Sequence, residues 1–247
     1  MLTIENLNLN YGDFQALKDV NLTLRLGDIY AIIGPSGCGK SSLLNILAGN
    51  VTIYNGTILL DGQKINYHKK NIGLIAQDYG LLPWKTVYGN IILPLKIKKL
   101  KISDYKDKID LLMRRLQLVG LENRYPNQIS GGQKQRVAIA KTFIMDLDLL
   151  LMDESFSALD AITREQTQEL FLDVWNKKKP ITLFVTHSID EAVLLGKKIV
   201  ILSGVPGTVA SIIDNPTYGK ADPRKTVEFL HTCTNIREII KKEWGTC

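Results

Sequence analysis

The sequence predicts an α/β fold: a mostly parallel sheet with helices on its faces, an added antiparallel β subdomain and an inserted helical subdomain. Three observations predict it. Apolar runs at residues 28–33, 147–152 and 181–185 have the length of buried strands and alternate with helical stretches, the pattern of a parallel sheet between helices. Val20, Leu22, Leu24 and Leu26 alternate with Asn21, Thr23 and Arg25, the period of a strand with one buried face. Between residues 86 and 145 the apolar spacing turns to steps of three and four, as in Ile109, Leu112, Leu116 and Val119, the period of an amphipathic helix.

In chain order, residues 2–9 read as a strand, followed by the alternating strand and the apolar run 28–33, which ends at a glycine-rich loop. A helix over 40–48 stops near Gly49. Residues 57–60, the Asp61-Gly62 turn and Ile65 form a hairpin, and 71–76 is a further strand. After the helical stretch come a strand at 147–152, a helix at 163–175 and a strand at 181–185. Ser188 and Glu191 have the spacing of a capping box at a helix start. Strands at 198–202 and 208–213 flank the Pro206-Gly207 turn. An amphipathic helix near 235–244 lies in the tail.

At 247 residues, 45% hydrophobic and 23% charged, the chain is globular in composition and long enough to bury a core without disulfides or metals. No apolar run approaches the roughly 20 residues needed to cross a bilayer, and the first residues lack the layout of a secretion signal. The expectation is a cytoplasmic protein, held at a membrane only by partners. Cys38, Cys233 and Cys247 have no metal-like spacing. The net charge of +6 is compatible with a plain basic surface, an anionic membrane or nucleic acid. Charge alone does not separate these.

The glycine-rich loop is Gly34-Pro35-Ser36-Gly37-Cys38-Gly39-Lys40-Ser41, followed by Ser42. It matches G-x-x-x-x-G-K-[ST], with a strand before it and a helix after it. Glycines let successive backbone N–H groups converge on a polyphosphate, and the helix adds its positive end. Lys40 reaches the outer phosphates, and the Ser41 hydroxyl is a hard oxygen ligand suited to Mg2+. Cys38 reads either as a small filler or as a thiol whose pKa the surrounding N–H groups lower. The run Leu149-Leu150-Leu151-Met152 ends in Asp153 and Glu154. A buried parallel strand delivers such side chains to the ligand edge of its sheet. Asp153 then suits Mg2+, and Glu154 suits the attacking water as general base.

These two motifs resemble the P-loop NTPases, with a RecA-like core. Further motifs narrow the resemblance. Ile129-Ser130-Gly131-Gly132-Gln133 resembles the signature of ABC ATPases, with Ile129 in place of the usual leucine. Gln77 resembles the Q-loop glutamine, which touches Mg2+ and the attacking water. Ser157-Ala158-Leu159-Asp160 resembles the D-loop, His187 the switch histidine, and Tyr11 the aromatic that stacks on adenine. Leu81-Leu82-Pro83-Trp84, the residues from Thr186 to Ala192 and Pro206-Gly207 are similar to the nitrate, sulfonate and taurine importers. That branch commonly has Arg before the Pro-Gly pair, where this chain has Val205.

The resemblance implies one ABC ATPase domain over 1–247. Residues 1–85 and 146–213 would form the catalytic core with its β subdomain, 86–145 the helical subdomain and 214–247 a tail. It implies ATP and Mg2+ as ligands and hydrolysis driven by Lys40, Gln77, Glu154 and His187. Ser130, Gly131, Gly132 and Gln133, at another helix N-terminus, would serve the nucleotide of a second subunit in a head-to-tail homodimer. Permease subunits would be direct partners and an extracytoplasmic substrate-binding protein an indirect one, at the cytoplasmic face of the membrane. Nucleic acid is not expected as a partner, because the long insertions and paired cassettes of repair and translation relatives are not visible. Trp84 reads as core or as an anchor for a membrane partner. The lysine-rich stretch 96–108 reads as a solvated face or as a contact with anionic lipid.

Overall fold

A computed structural model describes residues 1–220 and 222–245, so Cys247 lies outside the described part. The elements in order are β1 (Leu2–Tyr11), β2 (Phe14–Leu24), β3 (Ile29–Ile33), α1 (Lys40–Leu47), β4 (Asn55–Leu60), β5 (Gln63–Lys64), β6 (Ile72–Ile75), α2 (Val87–Ile91), α3 (Leu93–Ile97), α4 (Lys106–Arg115), α5 (Gly131–Phe143), β7 (Leu149–Asp153), α6 (Ala161–Trp175), β8 (Ile181–Val185), α7 (Ile189–Leu195), β9 (Lys198–Leu202), β10 (Val209–Asp214) and α8 (Val227–Trp244). By packing, the chain forms two units. The first holds Met1–Lys70, Leu151–Asp153 and the described residues from Ile181 onward; the second holds Asn71–Leu150 and Glu154–Pro180.

The first unit contains an antiparallel sheet in the order β2-β1-β4-β5, which is the predicted β subdomain. β1 and β2 pair from Leu2↔Leu24 to Tyr11↔Phe14. Val20, Leu22 and Leu24 face the core, as the alternation requires, but Leu26 is exposed in the turn beyond β2. The apparent fourth member of the stripe is a turn residue, because Asp28 N–H bonds back to the Arg25 carbonyl. A second sheet places β10, β9, β3 and β8 side by side, with the end of β7 next to β8. β3 runs parallel to both β8 and β9. Every residue of β3 and of β8 is buried, as expected of parallel strands covered on both faces. The predicted tail helix begins eight residues early, at Val227. Thr226 caps it by accepting from the Phe229 N–H at 3.2 Å, and Phe229, Cys233 and Ile236 form its buried stripe.

The second unit is mainly helical. β6 lies beside the first residues of β7, fixed there by the Asn71 N–H, which donates to Asp148 at 2.8 Å. α5 and α6 pack through Phe143 and Phe171, whose rings meet edge to face at 6.1 Å, and Phe156 meets Phe171 in the same way. Ile109, Leu112 and Leu116 are buried as predicted, whereas Val119 is 63% exposed. The helical phase is lost at Gln117, which has φ 54. The Leu118 N–H closes α4 on the Met113 carbonyl at 2.8 Å, so Leu118 takes the buried place that the periodicity assigned to Val119. Trp84 is 69% exposed and is not a core residue.

Candidate functional site

In the first unit the phosphate loop bridges β3 and α1. β3 delivers the chain to Gly34 at the edge where its parallel neighbours β8 and β9 also end. Gly37 and Gly39 have φ 80 and φ 90, a backbone conformation that side-chain-bearing residues rarely adopt. A Cβ on Gly37 would have nothing within 4 Å, whereas one on Gly39 would collide with Leu17 and the Ala16 carbonyl. One glycine thus leaves open space above the loop and the other packs its underside. Ser36, Gly37 and Ser41 are exposed, Pro35, Gly39 and Ser42 half-buried, and Gly34, Cys38 and Lys40 buried. Lys40 Nζ donates to the carbonyls of Gly34 at 2.8 Å and Pro35 at 2.9 Å, which folds the ammonium back along the loop. The first N–H groups of α1 have no partner within the helix. Loop and helix start together make a cationic, donor-rich concavity of the kind that holds phosphates.

Cys38 is fully buried. Burial pushes its thiol pKa up, and the nearby Lys40 only partly offsets this. Of the two readings of Cys38, this environment favours the small filler over the activated thiol, because desolvation outweighs the loop's N–H groups. Tyr11, at the end of β1, is 50% exposed, with its hydroxyl 3.4 Å from Ser42 Oγ at the start of α1. Its ring is therefore tied to the phosphate-loop helix and open to solvent, which suits stacking of a base.

Asp153, half-buried, ends β7. Ser41 and Asp153 supply hard oxygen donors from one unit, and this donor set fits Mg2+. His187 is exposed just beyond β8. Its two neighbours are pinned: the Ser188 N–H donates to Thr186 Oγ1 at 3.0 Å, and the Thr186 hydroxyl donates to Glu191 at 2.6 Å. Ser188 caps α7 by accepting from the Glu191 N–H at 3.3 Å. The Ser/Glu spacing was legible as a cap, but the link from Glu191 to buried Thr186 was not.

In the second unit Gln77 is exposed just after β6. Glu154 opens the segment after β7 with φ 45. Ser155, which sequence reasoning passed over, donates its hydroxyl to the Ile75 carbonyl at 3.1 Å. It thereby joins the segment that carries Glu154 to the strand end that carries Gln77. Ser157 donates its hydroxyl to the Glu154 carbonyl at 2.8 Å, and Arg164 gathers the carbonyls of Phe156 and Leu159 at 3.2 and 2.7 Å. Arg164 was also missed. No periodicity marks a guanidinium that organises a loop several residues upstream.

Asp160 is the N-cap of α6 and accepts from the Thr163 N–H at 3.0 Å. That backbone donor holds its carboxyl below the usual range. Ser130 caps α5 in a reciprocal box: its hydroxyl oxygen accepts from the Gln133 N–H at 3.2 Å, and the Gln133 side chain accepts from the Ser130 N–H at 2.9 Å. The first turn of α5 is therefore fixed by this box, and Gly131 and Gly132 begin the helix itself.

A strand–loop–helix phosphate cradle with an acidic strand end defines a nucleotide-binding protein of the P-loop class. The chain belongs to the ABC transporter family, whose model matches residues 17–157, and it is an ATP-binding, ATP-hydrolysing cassette. It is 45% identical to an aliphatic sulfonates import ATP-binding protein of Bacillus cereus over 83% of this chain and 80% of that protein. It is 42% identical to the taurine import ATP-binding protein of Escherichia coli K12, over 85% of this chain and 82% of that one. The dimeric structure of a bacterial ABC transporter cassette superposes with a TM-score of 0.76 at 30% identity, covering 87% of this chain and 98% of that one.

Proposed function

We propose that the chain is the energy-coupling ATPase subunit of an importer for a small organic or inorganic anion, with alkanesulfonates, taurine and nitrate as candidates. The observation that carries this is its similarity to import subunits for two sulfonate-class substrates along most of its length. It works as a head-to-tail homodimer on permease subunits at the cytoplasmic face of the membrane. An extracytoplasmic substrate-binding protein acts on it indirectly.

In this reading, the loop from Gly34 to Ser42 holds the phosphates, with Lys40 on the outer ones. Tyr11 stacks on the base. Ser41, Asp153 and Gln77 hold Mg2+, which neutralises phosphate charge when bound. Glu154 orients and deprotonates the attacking water, and His187 donates to the terminal phosphate. Ser130, Gly131, Gly132, Gln133 and Asp160 complete the site of the opposite subunit. Closure of the pair is favoured by ATP because only the closed pair supplies those donors. The exposed Trp84 loop passes the motion to the permease.

The test is uptake of taurine, an alkanesulfonate and nitrate by cells lacking the chain. Loss of one or more of these is expected, with restoration by the wild type and not by Glu154→Gln. Undiminished uptake of all three would reject the substrate class.

A further inference from the structure

We infer that residues 96–101, at the end of α3, are a surface that binds an anionic lipid bilayer directly, without a protein partner. The segment reads Lys96-Ile97-Lys98-Lys99-Leu100-Lys101 and contains no acidic residue. All six residues are exposed, Ile97 by 71%. Lys98 bonds the side chain of Asn71. Lys96, Lys99 and Lys101 make no ion pair among the described residues, and neither does Lys106 one turn further on. By contrast Lys108 is paired with Asp146 at 3.1 Å.

The backbone presents this cluster in a fixed form. The Lys99 N–H bonds to the Lys96 carbonyl at 3.1 Å and the Leu100 N–H to the Leu95 carbonyl at 2.9 Å. This is a helix-closing turn with its left-handed residue at Lys99, φ 55, a place that usually goes to glycine. A lysine there extends the charge cluster at the expense of backbone comfort. A helix C-terminus gains from one or two cations, but that does not explain Lys101 or the exposed Ile97 and Leu100 among the lysines.

Unpaired cations around exposed aliphatic side chains match a bilayer surface, which offers phosphates at the headgroups and hydrocarbon just beneath. Nucleic acid would use the lysines but has no comparable place for Ile97.

The test is co-sedimentation of the purified chain with vesicles of phosphatidylcholine alone and of phosphatidylcholine mixed with phosphatidylglycerol. Binding to the anionic vesicles only, weakening with salt, is expected. The triple variant Lys96→Gln, Lys99→Gln, Lys101→Gln should bind roughly a hundredfold more weakly, about fivefold per lysine. Ile97→Ser should weaken binding with all lysines intact. Lys241→Gln with Lys242→Gln, on α8, should bind as the wild type does. Equal binding to neutral vesicles, no binding to either, or an undiminished triple variant with an unchanged melting temperature would overturn the inference. So would single-stranded RNA binding that depends on the lysines and not on Ile97, with vesicles left unbound.

Discussion

Gly207 lies so close beneath the phosphate loop that a Cβ added to it would stand 2.0 Å from the carbonyl oxygen of Cys38. The same glycine is stitched to β2 by two backbone bonds of 3.0 Å, its N–H to the Ala16 carbonyl and its carbonyl to the Lys18 N–H. The Pro206-Gly207 pair is therefore a support for the loop. Gly207→Ala must push the loop or the turn aside, and such overpacking costs about 1–3 kcal/mol. Lower thermal stability together with a raised KM for ATP is expected in a steady-state assay. An alanine variant with wild-type stability and KM would show that the contact is not restrictive.

The thiols give a pH signature. Burial raises the pKa of Cys38, and that of Cys233 is pushed from its ordinary 9.0 to about 11. In that range the folded chain keeps protons that the unfolded chain has released. The contribution of Cys233 to stability is complete below the ordinary thiol value and is lost as pH rises from about 9 towards 11. Cys233→Ala should flatten the fall in melting temperature across that window. Iodoacetamide should label Cys38 slowly in the native protein, with or without ATP, and quickly in denaturant. Fast native labelling that ATP blocks would mean an open thiol.

Glu154 and Lys40 should fail differently. Glu154→Gln keeps shape and hydrogen-bonding reach but loses the base, so turnover should fall about 10²–10⁴-fold while ATP still binds. Analytical ultracentrifugation with ATP should find this variant dimeric. Lys40→Ala removes the ammonium that lies along the loop, so ATP affinity itself should drop. Equilibrium binding beside single-turnover hydrolysis separates the two, and matching defects would refute the division of labour.

Thr186→Val keeps the shape of a buried side chain and removes the hydroxyl shared by Ser188 and Glu191. A loss of about 1–3 kcal/mol is expected from the groups left without that partner. Release of the loop bearing His187 should lower kcat more than it raises KM. Thr186→Ser should restore both, which a purely steric role for the methyl group would not allow.

The phosphate loop and the acidic strand end were legible in the sequence because their chemistry demands fixed spacing. Buried strands were legible because β3 and, apart from Thr182, β8 are runs of apolar residues. What escaped was set by tertiary structure. Val119 and Leu118 differ by one position, and a single left-handed residue at Gln117 decided between them. The environment of Cys38 depends on a turn 169 positions away along the chain, a separation read from its contact with Gly207. Ser155 acts through one bond to a carbonyl 80 positions away and Arg164 through bonds to carbonyls of the preceding loop, and neither leaves a pattern along the chain. The early start of α8 was hidden because Phe229 and Cys233 are too few to outweigh its polar neighbours.

The two glycines that open α5 carry different constraints. A methyl group on Gly131 would rest 3.4 Å from the Tyr79 hydroxyl, but on Gly132 it would stand 2.3 Å from the methyl carbon of Thr163 on α6. Position 132 is small because a neighbouring helix occupies its space. Homologues with alanine at 132 should therefore carry serine or glycine at 163, a paired drift that position 131 has no reason to share.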